Sequence, residues 1–258
     1  MSMPTIFVSH GAPTLILQDV PARDFLSRLG RELPRPSAIV AVSAHWDTDV
    51  PAVSLARRPD TVHDFYGFPE ALYRLHYEAP GAPALAEKVA KLTGAAHDHH
   101  RGLDHGAWVP AMLAWPEADI PIFQLSVQPE ESPAHHIALG RKLVSLREEG
   151  VLVMGSGSAT HNLRALVRGD QASEPEPWAR AFDDWLAETV EKGDEQALAD
   201  YRTQAPYARE SHPTDEHLLP LHVAYGAAGE GARGRALHRS LTSGNLSMAS
   251  YAFAQANV

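Results

Sequence analysis

The stretch Val151-Leu152-Val153-Met154-Gly155-Ser156-Gly157-Ser158-Ala159-Thr160-His161-Asn162 is an unbroken apolar run that empties into a small-residue turn carrying a histidine. A short apolar run without alternation reads as a strand covered on both faces, the habit of a mainly parallel sheet. The same design recurs in Ile6-Phe7-Val8-Ser9-His10-Gly11 and in Val40-Ala41-Val42-Ser43-Ala44-His45-Trp46. Strands are therefore predicted at Thr5–Val8, Ala38–Ser43, Ile120–Val127 and Val151–Met154, with a weaker candidate at Ala52–Ala56. Between them lie helix-length amphipathic stretches. Pro21–Leu33 and Pro83–Leu92 each begin at a proline, which suits a first helical turn. Ser132–Leu146 sets Ile137, Leu143, Val144 and Leu146 on one face, and Trp178, Phe182, Trp185, Leu186 and Val190 repeat at helical spacing. The alternation predicts a single-domain α/β fold over residues 1–258, a three-layer α/β/α sandwich around a mostly parallel or mixed sheet. Gly169–Pro177 and Ala227–Arg235 read as surface loops, and no internal repeat is visible.

Composition narrows the function. The chain of 258 residues carries 22 Lys+Arg against 32 Asp+Glu, no Cys and 15 His. The absence of Cys excludes a disulfide framework, a thiolate metal site and a cysteine nucleophile. A net charge of −10 argues against nucleic-acid binding, which needs a cationic footprint. No run approaches the ~18–20 apolar residues that span a bilayer, and no secretory signal is visible, so the expected location is cytoplasmic with no membrane partner. Monomer and homodimer are both compatible with the sequence.

The histidines are the unusual feature. In a parallel sheet the C-terminal strand ends share one edge, and ligands bind in the crevice there. His10, His45 and His161 are each delivered to that edge from a distant part of the chain. His217, in Ser211-His212-Pro213-Thr214-Asp215-Glu216-His217-Leu218, is expected on the first turn of a helix capped by Thr214, and His105 lies in a turn entering another helix. The remaining histidines read as structural. His97, His99 and His100 could bind metal but better suit a solvated loop, His135 and His136 suit an exposed helical turn, and His222 a different face from His217. His63 fits either a pocket wall or a turn. Neutral imidazole is the commonest transition-metal ligand, so iron, zinc, manganese or nickel with three or four protein ligands is the chemistry that fits. Gly155-Ser156-Gly157-Ser158 lacks the Lys of a phosphate-binding loop and reads as a tight turn that lets the backbone approach a ligand. No G-x-S-x-G elbow supports a serine hydrolase.

The ordered motifs S-H-G-A-P (9–13), S-A-H-W (43–46), H-D-F-Y-G-F-P (63–69), D-H-G-A-W (104–108), G-S-G-S-A-T-H-N-L (155–163), P-T-D-E-H-L-L-P-L (213–221) and G-N-L-S-M (244–248) resemble the class III extradiol ring-cleavage dioxygenases, in their 4,5-DOPA extradiol dioxygenase branch. The resemblance implies an enzyme that uses O₂ to open a DOPA-like catechol to a semialdehyde. It implies His10, His45 and His217 as metal ligands, His161 as general acid/base and possible fourth ligand, and His105 as a catalytic pocket partner. Fe(II) is the metal implied for activity, with Zn(II) a plausible occupant. Related enzymes place a carboxylate where this chain has His217, with Glu216 beside it. Asp104 reads equally as a partner orienting His105 or as a helix N-cap. Phe65, Tyr66, Phe68 and Trp108 suit either an aromatic pocket or the core. A zinc-dependent hydrolase using the same histidines is the competing reading.

Overall fold

Alternation organises the central strands. Ile6 and Val8, Ile39 and Ala41, and Leu152 and Met154 pack into one apolar layer, while Val40, Val42, Val151 and Val153 enter another on the opposite face. With both faces covered, each strand is apolar throughout, which is why these segments read as continuous hydrophobic runs. The computed structural model describes residues 2–166 and 174–255.

In chain order the strands are β1 (Thr5–Ser9), β2 (Ala38–Asp47), β3 (Ala52–Ser54), β4 (Ala96–Asp98), β5 (Ile122–Val127), β6 (Val151–Gly157), β7 (Ala232–His238), β8 (Leu241–Thr242), β9 (Leu246–Ser247) and β10 (Ser250–Gln255). Eight of them form one mixed sheet in the order β4-β3-β5-β2-β6-β1-β10-β7, and β8 pairs with β9 in a separate hairpin. The centre is parallel: β2 pairs with β5 and β6, and β6 pairs with β1. Towards one edge the pairing turns antiparallel, β1 with β10 and β10 with β7. Helices Pro21–Glu32 and His105–Ala114 supply Phe25, Leu26, Leu29, Trp108 and Val109 to one layer. On the other face Pro133–Arg141 and Leu219–Ala227 contribute Leu139, Leu219 and Val223, while Pro177–Lys192 packs Phe182, Leu186 and Val190 against Phe7 and Phe253. The predicted α/β sandwich is the fold. No helix of the described residues is long and apolar enough to cross a membrane.

Several sequence expectations need correction. Of the expected loop Ala227–Arg235 only 228–231 is a turn: Ala227 ends a helix and Ala232 opens β7, an edge strand whose outward Arg233 and Arg235 kept it from reading as apolar. The stretch Ser132–Leu146 divides, its helix ending at Arg141 before a 3-10 segment, Val144–Glu149. Of the expected loop Gly169–Pro177, residues 169–173 lie outside the described residues and Pro177 begins a helix.

His136 is fully buried rather than solvent-facing. Its Nδ1 donates to the Ser132 carbonyl at 2.9 Å, and its Nε2 lies 3.1 Å from the Gln128 N–H and accepts from it. One donor and one acceptor suit a neutral ring, and burial pushes its pKa down to about 4, against a smaller opposing effect of the Ser132 carbonyl. The folded-state pKa is below the ordinary value of about 6.5, so the unfolded chain binds the proton more tightly. Stability is therefore complete above pH ~6.5 and falls as pH drops towards 4, at about 1.4 kcal/mol per pH unit for this group. Denaturant midpoints between pH 7.5 and 4.5 test this: His136→Gln is expected to be less stable at neutral pH and to lose less stability on acidification. An unchanged acid slope in that variant would contradict the assignment.

Candidate metal centre

Two of the five histidines singled out, His10 and His105, stand at ends of regular elements, and all five lie around one locus. His10 follows β1, and its N–H donates to the Gly157 carbonyl at the end of β6. His45 lies within β2, which runs past the predicted end at Ser43 to Asp47. His105 opens helix His105–Ala114. His217 sits in a turn two residues before helix Leu219–Ala227, not on the helix itself. Thr214 is not a cap there; its hydroxyl donates to Glu216.

The tight turn expected at 155–158 is instead the end of strand β6 as far as Gly157, and its glycines explain how His217 arrives. The Ser158 N–H donates to the His217 carbonyl at 2.9 Å, and a Cβ added at Gly157 would stand 2.0 Å from that oxygen. At Gly155 a Cβ would meet the Pro220 carbonyl at 2.2 Å. The backbone approach expected of this turn is thus real, but what approaches is the His217 segment of the chain. Gly157→Ala must push that segment away. Expected outcomes are a cluster that retains metal at least about tenfold more weakly and a protein destabilised by about 1–3 kcal/mol, the usual cost of overpacking. Metal titration and thermal melts of the variant read both; wild-type metal affinity would show that His217 does not depend on this contact.

Ligand atoms of His10, His45 and His217 all lie within 4.8 Å of one another. His10 Nε2 and His45 Nε2 face each other at 3.0 Å. The Ser156 hydroxyl donates to the Gly106 carbonyl, so towards His10 Nδ1, 3.0 Å away, it accepts. That makes Nδ1 the N–H of His10 and leaves its Nε2 with a lone pair. His217 Nδ1 donates to Glu216 Oε1 at 2.9 Å, again leaving Nε2 as the lone pair. His10 and His217 are held well below the usual imidazole pKa, first by burial and then by mutual repulsion among the rings; burial also lowers His45, against partial support from Asp104 and Asp64. Two buried imidazoles with lone pairs on Nε2, joined by the half-buried ring of His45, form a donor set that could hold a transition metal.

His161 lies outside this triad. Its ring stacks on that of His217, with centroids 3.4 Å apart and planes 10° from parallel, and its ligand atom shares the 4.8 Å radius with Glu216 and His217. Burial lowers its pKa, Glu216 opposes that effect and His105 adds to it. His105 lies beside the triad, 4.0 Å from His45 and 5.2 Å from His10 between ring centroids. Its partner is Asp64, not Asp104: Asp64 Oδ2 accepts from Nδ1 at 2.9 Å and Oδ1 from the backbone N–H at 2.9 Å. Burial alone would raise the Asp64 carboxyl, but the hydrogen bonds and charge of His105 outweigh it and hold it below the ordinary range. Asp104 takes the other expected role, capping the helix through Ala107 N–H. Sequence reasoning missed Asp64 as a partner although it stands in the motif H-D-F-Y-G-F-P, because the 41 positions separating it from His105 are closed only by tertiary structure.

Of the aromatic candidates, Trp108 is in the core and Tyr66 is exposed, while Phe65 lies 5.9 Å from the His105 ring. His63 donates from Nε2 to the Leu75 carbonyl within this aromatic group, and His97, His99 and His100 are exposed on and after edge strand β4. His222 is buried on its helix, away from the cluster as expected, with its ring nitrogens against the Leu218 and Leu198 carbonyls.

An α/β sheet whose C-terminal edge gathers imidazoles, with room for a metal but no thiolate, defines a histidine-rich enzyme site of the kind used for metal-assisted chemistry. Residues 4–254 match the family described as the catalytic LigB subunit of aromatic ring-opening dioxygenase, and the chain belongs to that family. It is 44% identical to 4,5-DOPA dioxygenase extradiol of Beta vulgaris, with 96% of each chain covered. To the protein of the same name from Escherichia coli (strain K12) it is 41% identical over 87% of this chain and 85% of that one. The crystal structure of an uncharacterized protein from Escherichia coli K12 superposes with a TM-score of 0.80 at 34% identity, covering 97% of this chain and 99% of that one. Nothing in these similarities supports the hydrolytic alternative.

Proposed function

We propose that the protein is an extradiol dioxygenase that opens the ring of a DOPA-like catechol with O₂, giving a semialdehyde. The observation that carries the proposal is the convergence of His10, His45 and His217, with the tautomers of His10 and His217 set by Ser156 and Glu216. In this reading those three side chains hold the metal, Fe(II) for activity, with Zn(II) able to occupy the same nitrogens. When bound, the metal supplies Lewis acidity that acidifies a catechol hydroxyl and a common locus for catechol and O₂.

The remaining chemistry belongs to the chain. His161, kept neutral by burial, has a lone pair with which to accept a catechol proton, and returns that proton later in the ring opening. Its membership of the Glu216–His217 group rather than the triad favours this acid/base role over that of a fourth ligand. His105 gives its Nδ1 proton to Asp64 in a hydrogen bond, which fixes the ring and turns Nε2 towards the reactants. Phe65 beside His105 offers an apolar surface to an aromatic ring. The amino-acid catechol is favoured because the relatives named above are 4,5-DOPA dioxygenases along nearly their whole length.

Anaerobic loading with Fe(II) or Zn(II), followed by L-DOPA and simpler catechols in an oxygen electrode, tests the proposal. Fe(II) protein is expected to consume one O₂ per catechol with a yellow product, and Zn(II) protein to consume none. His10→Ala or His217→Ala should lose metal and activity together. His161→Ala should keep its metal and lose about 10²–10⁴-fold in turnover, the usual worth of a positioned acid/base. Stoichiometric Fe(II) with no oxygen uptake for any catechol would overturn the assignment.

A further inference from the structure

The β8–β9 hairpin has no part in the chemistry above, yet it reaches the loop that carries His161. Asn245, in the turn between the two strands, contacts the chain on both sides of that histidine. The Thr160 hydroxyl donates to the Asn245 carbonyl at 2.6 Å, and the Asn245 Nδ2 donates to the Asn162 carbonyl at 3.0 Å. The Ser247 N–H completes the first arm by donating to Thr160 Oγ1 at 2.6 Å. Thr160 and Asn245 are fully buried. The His161 N–H donates to the Ser211 carbonyl at 2.8 Å, so all three residues of the 160–162 segment are tied to other parts of the chain.

The hairpin is itself firmly held. Ser243 and Gly244 adopt left-handed conformations, φ 52° and 76°, that fix the turn before Asn245. The Ser247 hydroxyl donates to buried Asp183, which Arg239 also grips through Nε at 3.0 Å and Nη2 at 2.6 Å. The Asn245 side chain is an unusual choice for stability alone. Its Oδ1 is buried with no hydrogen-bond partner among the described residues, a desolvation cost set against the bond made by Nδ2. The bond that offsets the cost is the one beside His161.

We propose that Asn245 is a positioning residue for ring opening: with Thr160 it clamps the backbone on either side of His161 and so sets the imidazole on the face of His217. The inference rests on the proton-transfer role assigned to His161. Displacing a reacting group by about 1 Å can cost 10²-fold in rate, so a clamp one residue away on each side has leverage without touching substrate.

Three near-isosteric variants test it in the Fe(II)-loaded protein. Asn245→Asp replaces the amide donor with an acceptor facing the Asn162 carbonyl, Thr160→Val deletes the hydroxyl, and Thr160→Ser keeps it. The first two are expected to lower kcat about tenfold or more, with KM for catechol and metal content unchanged; Thr160→Ser should stay within about threefold of wild type. In a His161→Ala background, Asn245→Asp should cause no further fall in kcat, because it acts through a side chain already removed. A crystal structure of Asn245→Asp should show the His161 ring moved off His217. A ring still stacked on His217, or a kcat loss that multiplies with His161→Ala, overturns the clamp. Wild-type turnover in His161→Ala instead removes the proton-transfer reading and the kinetic part of the clamp, and the ring position separates the two failures.

Discussion

Three imidazoles, two of them buried, must remain uncharged and must point their lone pairs at one place. Each condition would fail for a ring with free rotation or free access to water. Burial excludes the imidazolium form of His10 and His217, and the neighbouring rings add their own repulsion against it. Neutrality alone leaves two tautomers, and these are settled by a hydroxyl already committed to the Gly106 carbonyl and by the carboxylate of Glu216. Charge state and direction thus come from different neighbours, and both are needed before the three nitrogens amount to a ligand set.

That demand explains features of the fold that have no value for packing alone. β2 continues past its apolar run, so that His45 lies in a break in the register between Val42 and the last residue, Asp47, which pairs with Val127. Gly157 gives up a side chain so that the His217 carbonyl can sit against the end of β6. Asp104 draws the pieces together: Ser43 Oγ on β2, Gln124 Nε2 on β5, Arg101 Nη2 and the Ala107 N–H all donate to one fully buried carboxylate. A buried carboxylate is costly unless its oxygens are satisfied, and here four donors from separate segments satisfy them. The same network fixes the helix terminus on which His105 stands and the strand on which His45 stands. Arg101 adds a second tie by donating to the His45 carbonyl at 3.0 Å.

Much of this was legible in the sequence, and the division has a physical basis. The central strands could be read because burial on both faces leaves a continuous apolar run, and His10, His45 and His161 stood out because each follows such a run. Antiparallel β7 escaped notice because an edge strand exposes one face, so Arg233 and Arg235 made it resemble a loop. The cap expected at Thr214 failed because the acidic side chains after it are engaged elsewhere: Asp215 takes the Tyr201 hydroxyl and the Arg202 guanidinium, and Glu216 takes His217. His136 looked like a surface residue because its helix is short, and only the fold shows that the Gln128 N–H needs its lone pair. Pairings such as Asp64 with His105, or Asn245 with Asn162, join residues 41 and 83 positions apart and leave no periodic trace.

The three-histidine set raises a question about charge, since the resembling class supplies a carboxylate where this chain has His217. Here the carboxylate is not absent but one layer removed. Glu216 accepts the Nδ1 proton of His217, and Asp64 lies 3.7 Å from His45 Nδ1 while bonded to His105. A carboxylate drawing on the far N–H of an imidazole raises the basicity of the near nitrogen, so part of the missing charge would reach the proposed ligands through the ring. Glu216 is doubly placed for this, because the stacked ring of His161 lies in its field as well as that of His217. Moving the carboxylate outward thus keeps electron donation at the centre while leaving all three inner positions to neutral nitrogen. It also sets the same negative charge beside the residue proposed to move the proton, where it favours the protonated form of His161 that must exist between accepting the proton and returning it.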